Sequence, residues 1–175
     1  NSLNIEYWTI INDLPLNSWL KIGRSLPNYG MKIDDHSSFN RSGNYNRTKI
    51  GLNKNNPSEP EGLIFSPFLK YPIIFEQGIL LTKNIELTYS ISSPIVYQVS
   101  EKLNNFSSKI THQSKLFKNI NTRISLSYMK ELTFNMVGIC GGFGINNHIF
   151  SFGIDQANNW IENETSLAIF NEYAW

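Results

Sequence analysis

The stretch that decides the fold is Ile85-Glu86-Leu87-Thr88-Tyr89-Ser90-Ile91-Ser92, in which apolar and polar residues alternate without a break. A β-strand turns successive side chains to opposite faces, so this alternation predicts one strand with an apolar face and a polar face. The same period returns at residues 123–128 and 150–154, and residues 167–175 form another strand-like segment. The sequence therefore predicts a β-rich fold.

The residues after this stretch carry the start signals of a helix. Ser93 is suited to cap a helix, and Pro94 is suited to its first position, where a missing N–H costs nothing. Apolar residues then recur at helical spacing, at Val99, Leu103, Phe106 and Ile110. We therefore expect an α+β fold: two packed antiparallel sheets, or one strongly curved sheet, with a helix near 94–110.

Composition bounds the domain organisation. The 175 residues, 41% of them hydrophobic and 17% charged, predict a single globular domain over 1–175. Residues 34–61 are rich in Asn, Ser, Asp and Pro and predict one long polar loop within it. The net charge of +1 argues against a nucleic-acid partner, which needs a basic excess.

Two further classes are not favoured by the sequence. No apolar run approaches the ~18 residues of a membrane helix, so we expect no membrane span. The aromatic ending Tyr173-Ala174-Trp175 is typical of strand-built outer-membrane proteins, but those need many apolar-faced strands of about ten residues. Residues 25–61 contain nothing of that kind.

The three histidines are scattered along the sequence, and this spacing predicts no structural metal site.

The single cysteine, Cys140, lies in Gly138-Ile139-Cys140-Gly141-Gly142 after an apolar strand. This form resembles the nucleophile elbow of the class I glutamine amidotransferases. That family also carries a His-x-Glu pair after the cysteine, and no such pair follows here. We therefore interpret Cys140 as a structural cysteine in a glycine-rich turn.

One set of residues spans most of the chain. Arg24 closes an apolar element, Ser90-Ile91-Ser92 ends a strand, and Glu162-Asn163-Glu164 precedes the last strand. This order of Arg, Ser-x-Ser and Glu-x-Glu resembles the ADP-ribosyltransferase toxins of the cholera type. A second serine pair, Ser125 and Ser127, leaves the choice of pair open.

The resemblance implies roles for these residues. Arg24 would bind and orient NAD, the substrate that supplies ADP-ribose, and Ser90 and Ser92 would brace the site. Glu164 would stabilise the positive charge that develops as nicotinamide leaves, and Glu162 would place the acceptor. The implied protein is a virulence toxin or effector, secreted or delivered into a host cell, that modifies a host target protein.

A non-catalytic binding module is the alternative. Aromatic content of 13%, abundant Asn and many strands suit a surface that recognises sugar or protein, as in an adhesin, a lectin-like domain or a toxin subunit. A purely structural role is a third interpretation. NAD binding would favour the transferase over both.

Overall fold

The computed structural model describes residues 6–25, 27–30, 72–93, 102–116, 120–130, 134–159 and 164–174. These residues form one antiparallel sheet in which every strand pairs with its neighbours in sequence, so the sheet order is the chain order. The strands are β1 (Tyr7–Leu14), β2 (Ser18–Arg24), β3 (Ile73–Thr82), β4 (Ile85–Ser92), β5 (Asn105–Leu116), β6 (Ile120–Lys130), β7 (Phe134–Ile145), β8 (His148–Asn159) and β9 (Glu164–Ala174).

The strand prediction for residues 85–92 is confirmed, because they form β4. The helix prediction near 94–110 is wrong: residues 105–110 belong to β5, no helix occurs in the described part of the chain, and residues 94–101 lie outside it. Phe106 and Ile110 are four positions apart, a spacing that places them on one face of a strand as well as of a helix. The intervening Ser107 and Lys109 are buried on the other face.

The expected α+β class with two packed sheets is also wrong. The described residues build a single nine-stranded sheet, and no second sheet covers either face of it. Two packed sheets would need an apolar face turned inward. Here the buried side chains of the described strands are mostly Ser, Thr and charged residues, while the large apolar side chains are mostly exposed. The predicted loop at 34–61 lies outside the described residues.

Tight turns join some of the successive strands, among them β3 to β4 and β7 to β8. Between β3 and β4 the hydroxyl of Thr82 accepts hydrogen bonds from the backbone N–H groups of Asn84 and Ile85, at 3.2 and 3.1 Å. Between β7 and β8 the chain turns at Asn146, whose φ of 53° is tolerated by asparagine better than by most residues. Short turns of this kind produce the up-and-down order of the sheet.

Candidate functional site

One face of the sheet, which we call the outer face, carries a continuous aliphatic row. Cross-strand pairing aligns one aliphatic residue from each of seven consecutive strands, β3 to β9. The row consists of Ile79, Leu87, Ile110, Leu126, Ile139, Ile154 and Ile169. Leu126 is 52% exposed and Ile169 is 71% exposed. Contiguous exposed apolar surface of this extent marks a face that meets something other than water.

On the outer face, polarity changes along β8 and along β6. On β8 the outward residues run from a histidine at the turn through two phenylalanines and an isoleucine to polar amides: His148, Phe150, Phe152, Ile154, Gln156 and Asn158. On β6 they run from Thr122 through Ile124 and Leu126 to Tyr128 and Lys130. The outer face is therefore an apolar band with polar or aromatic margins.

Aromatic side chains gather at the margin of this band near the β7–β8 turn. The ring centroids of Phe143 and Phe150 are 4.9 Å apart, and those of Phe150 and Tyr173 are 4.8 Å apart. The Tyr173 hydroxyl lies 2.7 Å from Nδ1 of His148. Rings with one apolar body and one polar tip suit the boundary between an apolar phase and water.

The opposite, inner face is buried and mostly polar, and it also carries the buried apolar side chains of Ile74, Met129 and Met136. Ser90 and Ser107 are hydrogen-bonded across β4 and β5 at 2.6 Å, and Thr111 and Ser125 across β5 and β6 at 3.0 Å. An ion pair joins Lys21 Nζ of β2 to Glu76 Oε1 of β3 at 3.1 Å. Buried polar groups of this kind are stable because each finds a partner.

Residues 27–30 cross this inner face. The backbone N–H of Asn28 donates to Glu76 Oε2 at 2.7 Å, and its side-chain oxygen accepts from Lys109 Nζ at 3.0 Å. The backbone N–H of Gly30 donates to the Ser127 hydroxyl at 3.0 Å. Pro27, at the start of the segment, is among the fully buried residues. The segment is thus bonded to β3, β5 and β6 on the inner face.

Tyr29 extends these contacts to β8. Its hydroxyl donates to Asp155 Oδ1 at 2.7 Å, and both residues are buried. Burial first, and then the neighbouring Asp155 carboxyl, raise the pKa of Tyr29 above its ordinary value, so the phenol stays protonated and remains a donor. The contact needs Gly138 on β7, because a Cβ there would lie 1.8 Å from Asp155 Oδ1 and 2.6 Å from the Tyr29 hydroxyl oxygen.

These contacts indicate that the sheet curves around residues 27–30. In a flat sheet β3 and β8 would lie about 24 Å apart, because neighbouring strands are spaced by about 4.8 Å. Asn28 and Tyr29 are adjacent, yet they reach Glu76 on β3 and Asp155 on β8. Side chains stand roughly perpendicular to a sheet, so two consecutive residues bond both strands only if the inner face is concave.

No family model, curated protein or solved structure matches the chain. Within the described residues there is no helix long and apolar enough to cross a membrane, and no group of three or more His, Cys, Asp or Glu side chains that could hold a metal ion. The function must therefore be argued from the two faces of the sheet.

The residues predicted from the transferase resemblance are distributed over β2, β4 and β9. Ser90 and Ser92 are buried on the inner face of β4. Arg24 ends β2 and pairs with Ile73, in the outer-facing register of that strand, so it and the serine pair are on opposite faces. Glu164 begins β9, five strands away from β4 in the sheet order, and pairs with Asn159. Glu162 lies outside the described residues.

The alternative serine pair and the cysteine also lie on the inner face. Ser125 bonds Thr111, and Ser127 accepts from Gly30. Cys140 is buried in the interior of β7, where it pairs with Ser125. A structural role for Cys140 fits this position. The predicted turn around it is wrong, because residues 134–145 run as one strand.

Sequence reasoning missed the inner-face residues Glu76, Lys109 and Asp155. Glu76 and Asp155 are each the only Asp, Glu, Lys or Arg of their strand, and Lys109 belongs to the alternating set of β5 that also contains Ser107 and Thr111. The position of these charged residues within their strands was the sequence signal that could have pointed to them. It identifies the charged residues as members of one face, but it does not reveal that this face is the buried one.

Proposed function

We propose that the chain is embedded in a lipid bilayer through its outer face, with the polar inner face shielded from lipid. The observation that carries this proposal is the aliphatic row on seven consecutive strands, backed by buried Ser, Thr and charged side chains on the other face. A soluble sheet has the reverse arrangement, with apolar side chains packed inward and polar ones in water.

The margins of the apolar band agree with this placement, and so does strand length for six of the seven strands in the aliphatic row, the exception being β4 with 8 residues. A strand that crosses the apolar core of a bilayer at a tilt needs about 9–11 residues. β3 has 10 residues, and β5 to β9 have 11 or 12 each. The aromatic cluster of Phe150, Tyr173 and His148 then lies where the apolar band ends, a position that such rings favour at membrane surfaces.

An arginine placed in the aliphatic row tests the proposal. Leu126→Arg would put a charge at the centre of the band, which costs about 2–4 kcal/mol at the midplane of a bilayer. At an exposed site in water the same change is worth about 0.5 kcal/mol or less. We expect urea unfolding of vesicle-bound protein to show the larger loss, and the parent protein to float with phosphatidylcholine vesicles in a density gradient.

Asn121→Arg is the matched control, because Asn121 is an exposed residue at the end of the same strand, outside the aliphatic row. It should leave the free energy of unfolding nearly unchanged. Equal, small effects of the two arginines, together with a parent protein that does not float, would show that the outer face does not meet lipid.

The ADP-ribosyltransferase activity, the binding-module alternative and secretion or delivery into a host cell stay predictions. Arg24 is in the outer-facing register of β2, and Ser90 and Ser92 are in the inner-facing register of β4. Because Arg24 and Ser90 lie on opposite faces of the sheet, their positions do not support a shared NAD site. The membrane placement therefore has the stronger support.

A further inference from the structure

Two charged residues and one threonine of the inner face lie at the same level as the aliphatic row. Lys109 directly precedes Ile110, Asp155 directly follows Ile154, and Thr88 directly follows Leu87. If the outer face meets lipid, these polar groups lie at the depth of the membrane interior. Ionisable groups at that depth are costly and usually mark the path of a polar solute.

Residues 27–30 supply partners to these groups. Asn28 bonds Glu76 and Lys109, and its side-chain nitrogen lies 3.5 Å from the Thr88 hydroxyl. Tyr29 bonds Asp155. One short segment thereby fills the centre of the concave face and satisfies polar groups from several strands. Without it, those groups would need water as their partner, because buried polar groups are rarely left unpaired.

We propose that the inner face is a polar path for small ions across the bilayer, and that residues 27–30 close it. This inference rests on the proposed membrane placement. The lining of the path is of mixed sign, with Lys21 and Lys109 opposing Glu76 and Asp155, so it favours small hydrated ions over a ligand of one charge. The closing segment is held against the strands by hydrogen bonds to their side chains, so substitution in the segment itself opens the path.

Potassium efflux from vesicles tests the closure. The full chain is reconstituted into potassium-loaded phosphatidylcholine vesicles, as parent and as the double variant Asn28→Ala with Tyr29→Ala. The double variant removes the side chains that bond Lys109, Thr88 and Asp155 and leaves space for water. We expect a several-fold faster efflux per inserted molecule than for the parent.

A variant that changes the same two residue types away from the inner face segment and the aromatic cluster is the control. Tyr7→Ala with Asn12→Ala changes exposed residues of β1, a strand outside the aliphatic row. It should leave efflux at the parent level. Equal efflux from the inner-face variant, the control and the parent, at equal vesicle flotation, would overturn the closure.

Tyr29→Phe keeps the inference testable if the double variant does not insert. It removes only the hydroxyl that bonds Asp155 and keeps the ring in place. Efflux between that of the parent and that expected for an open path supports the closure, and unchanged efflux from floated protein overturns it. A parent that does not float, with no cost for Leu126→Arg, instead defeats the membrane placement and this inference with it.

Discussion

Gly138 decides whether Tyr29 can reach Asp155. A methyl group at position 138 would overlap the Asp155 carboxylate and the Tyr29 hydroxyl, so Gly138→Ala must displace one of them. Overpacking of a filled interior typically costs about 1–3 kcal/mol, and we expect a loss in that range. The measurement is the free energy of unfolding from a urea titration of the reconstituted protein.

Gly144→Ala on the same strand controls for the loss of a glycine. The nearest atom to a Cβ at position 144 is the backbone oxygen of His148 at 3.7 Å, an ordinary contact. This change should cost little. If the two alanines cost the same, or if Gly138→Ala is fully additive with Tyr29→Ala, then the close packing around the Tyr29–Asp155 bond does not stabilise the protein.

Single residues show where sequence reasoning succeeds and where it fails. Cys140 could be interpreted as structural, because a lone cysteine without a partner base has few other roles, and it is buried. Arg24, Ser90 and Glu164 were grouped by their order along the chain. Order does not encode the face of a strand, and it does not encode how many strands separate two residues. Glu76 and Asp155 are connected instead through Asn28 and Tyr29, a contact between distant parts of the chain.

Strand β5 shows the same limit for elements. A capped start at Ser93 and Pro94 with Phe106 and Ile110 four residues apart predicts a helix, but a spacing of four residues also fits one face of a strand. The discriminating residues are Ser107, Lys109 and Thr111, which alternate with the apolar ones and are buried. β4 was predictable because its alternation is unbroken over eight residues. The tertiary setting, with β4 on one side and β6 on the other, decides the structure of β5.

A spin-label scan along β5 tests both its structure and its orientation. In a Cys140→Ser background, single cysteines at positions 106 to 112 are labelled in vesicles, and their collision rates with oxygen, which concentrates in lipid, are measured. We expect maxima at Phe106, Ser108, Ile110 and His112 and minima between them, because side chains alternate across a strand. Minima at the even positions, or a period near 3.6 residues, would contradict the outward face or the strand.

In the sheet as a whole, the mostly polar face is buried and the apolar face is exposed, which is the reverse of the usual arrangement. Alternation in β4 or β8 predicts two faces of different polarity, but it is equally compatible with either face turned inward. Composition does not decide the question, because 41% hydrophobic residues and a net charge of +1 are ordinary for a soluble domain. The decisive information is the set of contacts made by residues 27–30, which places the polar face inside.

If the sheet lies in a bilayer, the backbone N–H and C=O groups on the open sides of the two edge strands need hydrogen-bond partners. β1 and β9 are the first and last strands of the sheet, so one side of each has no strand partner among the described residues. An unpaired backbone N–H or C=O in hydrocarbon costs several kcal/mol, and β9 alone has 11 residues, so an open edge of this length is not stable in a bilayer.

In vesicles we therefore expect the amides of β9 that point away from β8 to exchange with deuterium as slowly as those that bond β8. Covering the edge with β1, with a further strand or with a second copy would each give that protection, and cysteine cross-linking from Asn171→Cys would distinguish them. Fast exchange of the outward amides in floated protein would mean that β9 lies at the membrane surface, and the apolar band would then have to end at β8.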